Sequence, residues 1–114
     1  MPYLKLQTNQ VLTQDEKAAL CEIASECVAQ SLGKSKNYVM VTIQSDMAMT
    51  FANGDRPCAF VELKSIGLPA ERTLELSRNI CDLIQQNIGV PPERTYIEFS
   101  AAERAMRGWN GKTL

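Results

Sequence analysis

The feature that most constrains this chain is an internal repeat. Two glycines that close helical patterns, Gly33 and Gly89, lie 56 positions apart, and the same offset pairs Leu32 with Ile88, Val28 with Ile84, Leu20 with Leu76 and Asp15 with Glu71. At that offset Pro2 falls on Cys58, and each half reads strand, helix, strand. Two β-α-β units of this size predict an α+β fold: a four-stranded mixed sheet with both helices on one face. With 114 residues, the chain has room for one hydrophobic core and not two. The expected organisation is a single domain over residues 1–114, with repeats at about 2–57 and 58–114.

Within the first unit, Tyr3 to Gln7 alternates as a strand. Thr13-Gln14-Asp15-Glu16 matches a capping box, and the spacing of Leu20, Ile23, Ala24, Cys27, Val28 and Leu32 predicts one buried helical face that stops at Gly33. Tyr38 to Ile43 is dense in β-branched residues and reads as the second strand. A Met and aromatic cluster (Met47, Met49, Phe51) follows, read as a short strand or loop ending in the turn Asn53 to Pro57.

The second unit opens with a strand over Cys58 to Lys64. Leu68-Pro69-Ala70-Glu71 is read as a helix start with proline near its first position, and Leu74, Ile80, Cys81, Leu83, Ile84 and Ile88 as its apolar face. Thr95 to Phe99 is the fourth strand, and Ala101 to Leu114 begins as a helical turn. The sheet face away from the helices is expected to keep an uncovered apolar set drawn from Val39, Val41, Ile43, Ala59, Val61 and Ile97, which predicts self-association in a closed cyclic oligomer.

Twelve basic residues against thirteen acidic ones, spread along the chain, leave a net charge of -1 and no polyanion footprint, which argues against nucleic acid. No apolar run approaches the roughly 20 residues that span a bilayer, and no charged-then-apolar leader is seen. The expectation is a cytoplasmic protein with no membrane partner, exported, if at all, by a route that needs no signal peptide. Cys21, Cys27, Cys58 and Cys81 form no C-x-x-C pair and read as small apolar residues, neither disulfides nor metal ligands.

Histidine is absent, which removes the usual imidazole base and the commonest zinc ligand. Any acid–base chemistry must come from another group, and Met1-Pro2 offers one. Removal of the initiator before a small residue would leave Pro2 with a free secondary amine. A chain-terminal amine has a pKa of roughly 8, within reach of a general base once burial or a nearby cation lowers it. The alternative is that Pro2 simply begins an edge strand, where its missing N–H costs nothing.

The order and spacing of several pieces carry a resemblance: Pro2, Gly33-Lys34, Tyr38, Asp46, Met49, Phe51, Pro57-Cys58-Ala59, Ser65-Ile66-Gly67, Arg94 with Tyr96-Ile97, and Gly108-Trp109-Asn110. Over essentially its whole length the chain resembles the macrophage migration inhibitory factor family of the tautomerase superfamily. The resemblance implies a homotrimer whose sheets face a central channel, with active sites at subunit boundaries. It also implies a cofactor-free isomerase that interconverts keto and enol forms of aryl pyruvates such as phenylpyruvate and hydroxyphenylpyruvate, and of dopachrome, with Pro2 as catalytic base.

Residue by residue, Lys34 would hold the substrate carboxylate and the Ile66 backbone N–H, beside Ser65, would contact it. Tyr96 would reach the pocket from a neighbouring subunit, and Tyr38 and Trp109 would line the mouth, where flat rings stack. Two departures bear on specificity. Glu98 replaces an asparagine of the vertebrate members, an acceptor-only group in place of an amide. Arg107 replaces an apolar residue and can serve as a second carboxylate ligand or pair with Glu98. The vertebrate C-x-x-C is broken, with Val61 three positions after Cys58. A cytokine-like or signalling role with a residual pocket, and a proline-dependent hydratase, dehalogenase or decarboxylase, are the alternative readings.

Overall fold

A computed structural model describes all residues, Met1–Leu114. In chain order it contains strand β1 (Tyr3–Thr8), helix α1 (Gln14–Leu32), β2 (Met40–Gln44), β3 (Ala59–Ile66), helix α2 (Thr73–Ile88), β4 (Thr95–Ala102) and a terminal pair, β5 (Gly108–Trp109) and β6 (Lys112–Thr113). The main sheet has the order β2-β1-β3-β4. β1 and β2 are parallel, as are β3 and β4, and the two units meet through antiparallel β1 and β3. This is the mixed sheet of two β-α-β repeats that the sequence predicts.

The helix boundaries follow from local chemistry. Thr13 accepts from the Glu16 N–H while the Glu16 carboxylate accepts from the Thr13 N–H, the reciprocal capping box, and these bonds hold the Glu16 carboxyl below its ordinary pKa. At the other end Gly33 takes a left-handed conformation at φ 63°. Its N–H donates to the Gln30 carbonyl and the Lys34 N–H reaches back to Ala29 at 2.9 Å, a full Schellman stop. In α2 the buried line is Leu76, Ile80 and Ile84, matching Leu20, Ala24 and Val28 of α1 at the 56-residue offset.

Four expectations about the elements need correction. The offset of 56 holds in the helices but not in the first strands: Leu4, Leu6 and Thr8 are buried on β1, and Ala59, Val61, Leu63 and Ser65 on β3. Side chains alternate with period two, so the strand offset is odd and Pro2 does not correspond to Cys58. Next, Ile23 and Leu74 lie outside the buried faces, Leu74 at 63% exposure. Leu68 and Pro69 precede the second helix; a 3-10 turn at Ala70–Arg72 intervenes before Thr73. The segment after β2 takes the loop alternative, with a single bridge between Phe51 and Gly54. Finally, the tail goes past its helical turn at Arg104–Met106 into a hairpin. Asn110 and Gly111 carry the paired positive φ angles, 54° and 74°, of a type I′ turn.

The set proposed to be uncovered is covered. Val39, Val41, Ile43, Ala59, Val61 and Ile97 all pack into the core beneath the helices. By alternation the open face carries mixed chemistry, with Lys5, Glu62 and Glu98 in one cross-strand row and Tyr3, Lys64 and Ser100 in the next. Lys64 and Glu62 approach to 3.8 Å on it.

The long connection from β2 to β3 is held from one point. Arg94, 6% exposed, donates to the carbonyls of Pro57 (2.8 Å), Arg56 (3.0 Å), Phe51 (3.1 Å) and Gly54 (3.5 Å), and its guanidinium lies 5.2 Å from the Phe51 ring centroid. No carboxylate takes part. Removing a donor that serves several sheltered carbonyls leaves them without partners. Arg94→Met is therefore expected to lower stability by roughly 3 kcal/mol, read as a reduced urea midpoint, with Arg94→Lys intermediate because one ammonium cannot span four acceptors.

Candidate active site

The β1–β3 register pairs Tyr3 with Lys64, and one further step sets Pro2 opposite Ser65. Both are fully buried. At the same end of the sheet α1 delivers Lys34 through its Schellman stop, and the Lys34 ammonium donates to the Ile66 carbonyl at 3.5 Å. Two adjoining cavities open here. One, of about 270 Å³, is lined by Met1, Lys34, Tyr38, Trp109 and Leu114. The other, of about 460 Å³, is lined by Met1, Pro2, Tyr38, Arg107, Trp109 and neighbours on the strand following Tyr38. Met1, Tyr38 and Trp109 are common to both.

Tyr38 and Trp109 meet edge to face, with centroids 6.1 Å apart at 83°. The tail hairpin holds Trp109 in place, since its turn leaves Gly108 and Trp109 paired with Thr113 and Lys112. Arg107 is pinned at both backbone groups: its N–H donates to the Arg104 carbonyl and its carbonyl accepts from Leu114 at 2.9 Å. The Met1 amine is lowered from its ordinary pKa, first by burial and then by the nearby cations Lys34, Arg107 and Arg104. An uncharged amine is favoured there, as a base requires.

One chain thus brings together Pro2, Lys34, Ser65, Ile66, Tyr38, Arg107 and Trp109, but not Tyr96 or Glu98. Continuing the β3–β4 register from Pro2 and Ser65 reaches Ala101. Tyr96 is five residues from that row and Glu98 three, which at about 3.3 Å per residue is roughly 17 Å and 10 Å along the strand, with two strand spacings of about 5 Å each across. Both also project from the open face, whereas Pro2 sits on the helix face. Tyr96 is 63% exposed and packs edge to face on Phe51, 4.9 Å between centroids. Neither residue reaches Pro2 of its own chain.

Sequence reasoning passed over Arg104 as a contributor to the local field, and Leu114 as a wall. The first has no signal beyond its charge, and the second depends on the hairpin that folds the tail back. All four cysteines are free thiols, and burial raises Cys27 and Cys81 above the ordinary thiol value.

The Ser65 hydroxyl is the one buried side-chain polar atom without a hydrogen-bond partner. A lone buried hydroxyl costs stability, so Ser65→Ala is expected to leave urea stability unchanged or raise it by about 1 kcal/mol. A loss of similar size would show that the hydroxyl is bonded in the assembled protein.

The family profile described as Macrophage migration inhibitory factor (MIF) matches residues 1–114. The chain is 32% identical over 115 residues to macrophage migration inhibitory factor of Mus musculus, covering 100% of this chain and 99% of the relative, with the same figures for the homolog of Brugia malayi. Among solved structures, the macrophage migration inhibitory factor homologue from Prochlorococcus marinus superposes with a TM-score of 0.92 at 38% identity, covering 97% of each chain. The macrophage migration inhibitory factor from Trichinella spiralis gives 0.90 at 30% identity, covering 98% of this chain and 99% of that one.

Proposed function

Because the chain belongs to the macrophage migration inhibitory factor family, within the tautomerase superfamily, we propose that it is a cofactor-independent keto–enol tautomerase of aryl pyruvates and related enols, with Pro2 as general base. What supports the reading is the place of Pro2, buried at the edge of a cavity that Arg107 also lines, with the Met1 amine one residue ahead of it already lowered by burial and by Lys34, Arg107 and Arg104. Loss of Met1 moves that amine one residue inward, to a more deeply buried atom.

The chemistry needs only proton movement. The Pro2 nitrogen accepts the proton of the enol hydroxyl, and the resulting secondary ammonium delivers it to the carbon at the other end of the double bond. Every atom is retained and no electron leaves the substrate. Lys34 holds the carboxylate by charge, the Ile66 backbone N–H adds a neutral contact, and the ring stacks over Tyr38 and Trp109. With Met1 attached, the Pro2 nitrogen is a tertiary amide without a basic lone pair.

The reading also needs a neighbour. Since Tyr96 and Glu98 lie too far along β4 for their own Pro2, they serve a site only across a subunit boundary, which fits a homotrimer. The polar rows on the open sheet face suit a wetted channel wall in such an assembly, and closure would hide the edges of β2 and β4. The signalling alternative draws on the names of the relatives and has no separate feature of this chain behind it.

Three outcomes follow. Protein whose mass shows Met1 removed is expected to ketonise enol-phenylpyruvate, and Pro2→Gly to lose at least about tenfold, near 1.4 kcal/mol of barrier; a processed native protein without turnover overturns the reading. The rate is expected to fall as pH drops through the amine's folded pKa. Burial and the same cations that lower the Met1 amine act on a Pro2 amine in the same direction, so the acid limb should sit below the value of a free terminal proline amine. Stability carries the matching sign: the unfolded amine takes up its proton first, so stability falls as pH decreases across the window between the two values. Finally, co-refolding Pro2→Gly with Tyr96→Ala subunits is expected to restore activity that neither variant has alone, whereas a site built within one chain would stay inactive.

A further inference from the structure

We propose that the cavity beside Pro2 contains a second anion subsite at Arg107, so that its preferred ligand is a flat dianion with one carboxylate at Lys34 and another acidic group at Arg107. The inference rests on reading this cavity as the substrate site, and it names the substrate class.

Lys34 and Arg107 enter from unrelated elements, the end of α1 and the turn ahead of β5. Each lines a different one of the two cavities, which share Met1, Tyr38 and Trp109, and the two aromatic rings of that shared lining stay when Met1 is removed. A ligand body lying along that aromatic wall would therefore have a cation at either end. The combined space is that of a small-molecule site, too large to be filled by one carboxylate and its contacts.

Arg107 is also uncommitted. The three ion pairs of the chain are Lys36 with Glu22, Lys64 with Glu62 and Arg72 with Glu75, and none involves Arg107. Its root is fixed through both backbone groups and the residue is half-buried. The guanidinium therefore stands on a rigid base, partly out of water. A planar fork in that position suits a carboxylate or phenolate-like oxyanion better than a point charge does. A ligand with one carboxylate answers Lys34 and leaves Arg107 without a counter-charge. A second anionic group removes that imbalance. The class of reaction that would feed such a site is one producing unsaturated or aryl 2-keto acids with a further acidic group at the distal end.

The test uses ligands that cannot enolise, so that it stands apart from turnover at Pro2. Processed protein is titrated calorimetrically with 3-phenylpropionate and with 3-(4-carboxyphenyl)propionate, which differ by one carboxylate. The dianion is expected to bind about tenfold more tightly. That preference is expected to vanish in Arg107→Gln and to persist in Lys112→Gln, whose ammonium lies 5.7 Å from the Trp109 ring centroid but lines neither cavity. Equal affinities in the native protein would overturn the proposal, as would an equal loss of preference in both variants, which would mark a diffuse charge effect. Equal native affinities that turn into a dianion preference in Glu98→Gln would also overturn it, by assigning Arg107 to a neighbouring subunit's carboxylate. Failure of the tautomerase assay with the dianion preference intact would leave the subsite standing and remove only the reaction.

Discussion

The rest of the structure depends on the antiparallel register between β1 and β3. Leu4 lies beside Leu63 and Leu6 beside Val61, and all four are buried under the helices. A slip of one residue would turn Lys5, Glu62 and Lys64 into the core and the leucines out of it, so burial fixes the register strongly. That same pairing decides where the chain begins in space: Pro2 arrives opposite Ser65, at the end of the sheet where α1 ends and the tail hairpin folds back. Four separate stretches of sequence meet there because one apolar ladder admits a single alignment.

A site assembled in this way is electrostatically one-sided. Lys34, Arg107 and Arg104 all act on the Met1 amine, and no carboxylate is among the groups that shift it. Glu62 and Glu98 lie in a single cross-strand row on the open face, shared with Lys5. The chain lacks histidine, so the proposed base is an amine lowered by its surroundings and not a tuned imidazole. Burial and cations act in the same direction here, and both follow from the fold.

What could be read in the sequence is what local rules govern. The capping box at Thr13, the glycine stop ahead of Lys34 and the buried helical lines at matched offsets all depend on a few neighbouring residues, and all stand in the structure. The strand faces were harder. Val41, Ile43 and Val61 are apolar on whichever side they point, and only the pairing register shows that they belong under the helices. Leu74 reads as part of the apolar face but is exposed, because Leu76, about 200° round the same first turn, carries the buried line on to Ile80 and Ile84. The hairpin at Asn110-Gly111 was signalled by its dipeptide, although strands of two residues offer little alternation to recognise. The remoteness of Tyr96 and Glu98 from Pro2 depends on strand order, a non-local property; the resemblance implies it for Tyr96 but sets Glu98 in the pocket near Pro2, which the register of a single chain does not allow.

Arg94 gives the long β2–β3 connection an unusual kind of anchor. Its four acceptors are backbone carbonyls, which do not titrate, and a guanidinium stays protonated at any pH a protein meets. A loop tied by a carboxylate would loosen as acid neutralised its partner, and a surface ion pair would weaken as salt rose. This tie does neither. Phe51, held under the guanidinium, and Tyr96, packed on Phe51, are thus placed by contacts that contain no acid-titrating group, so the loop itself contributes no carboxylate whose protonation would release it.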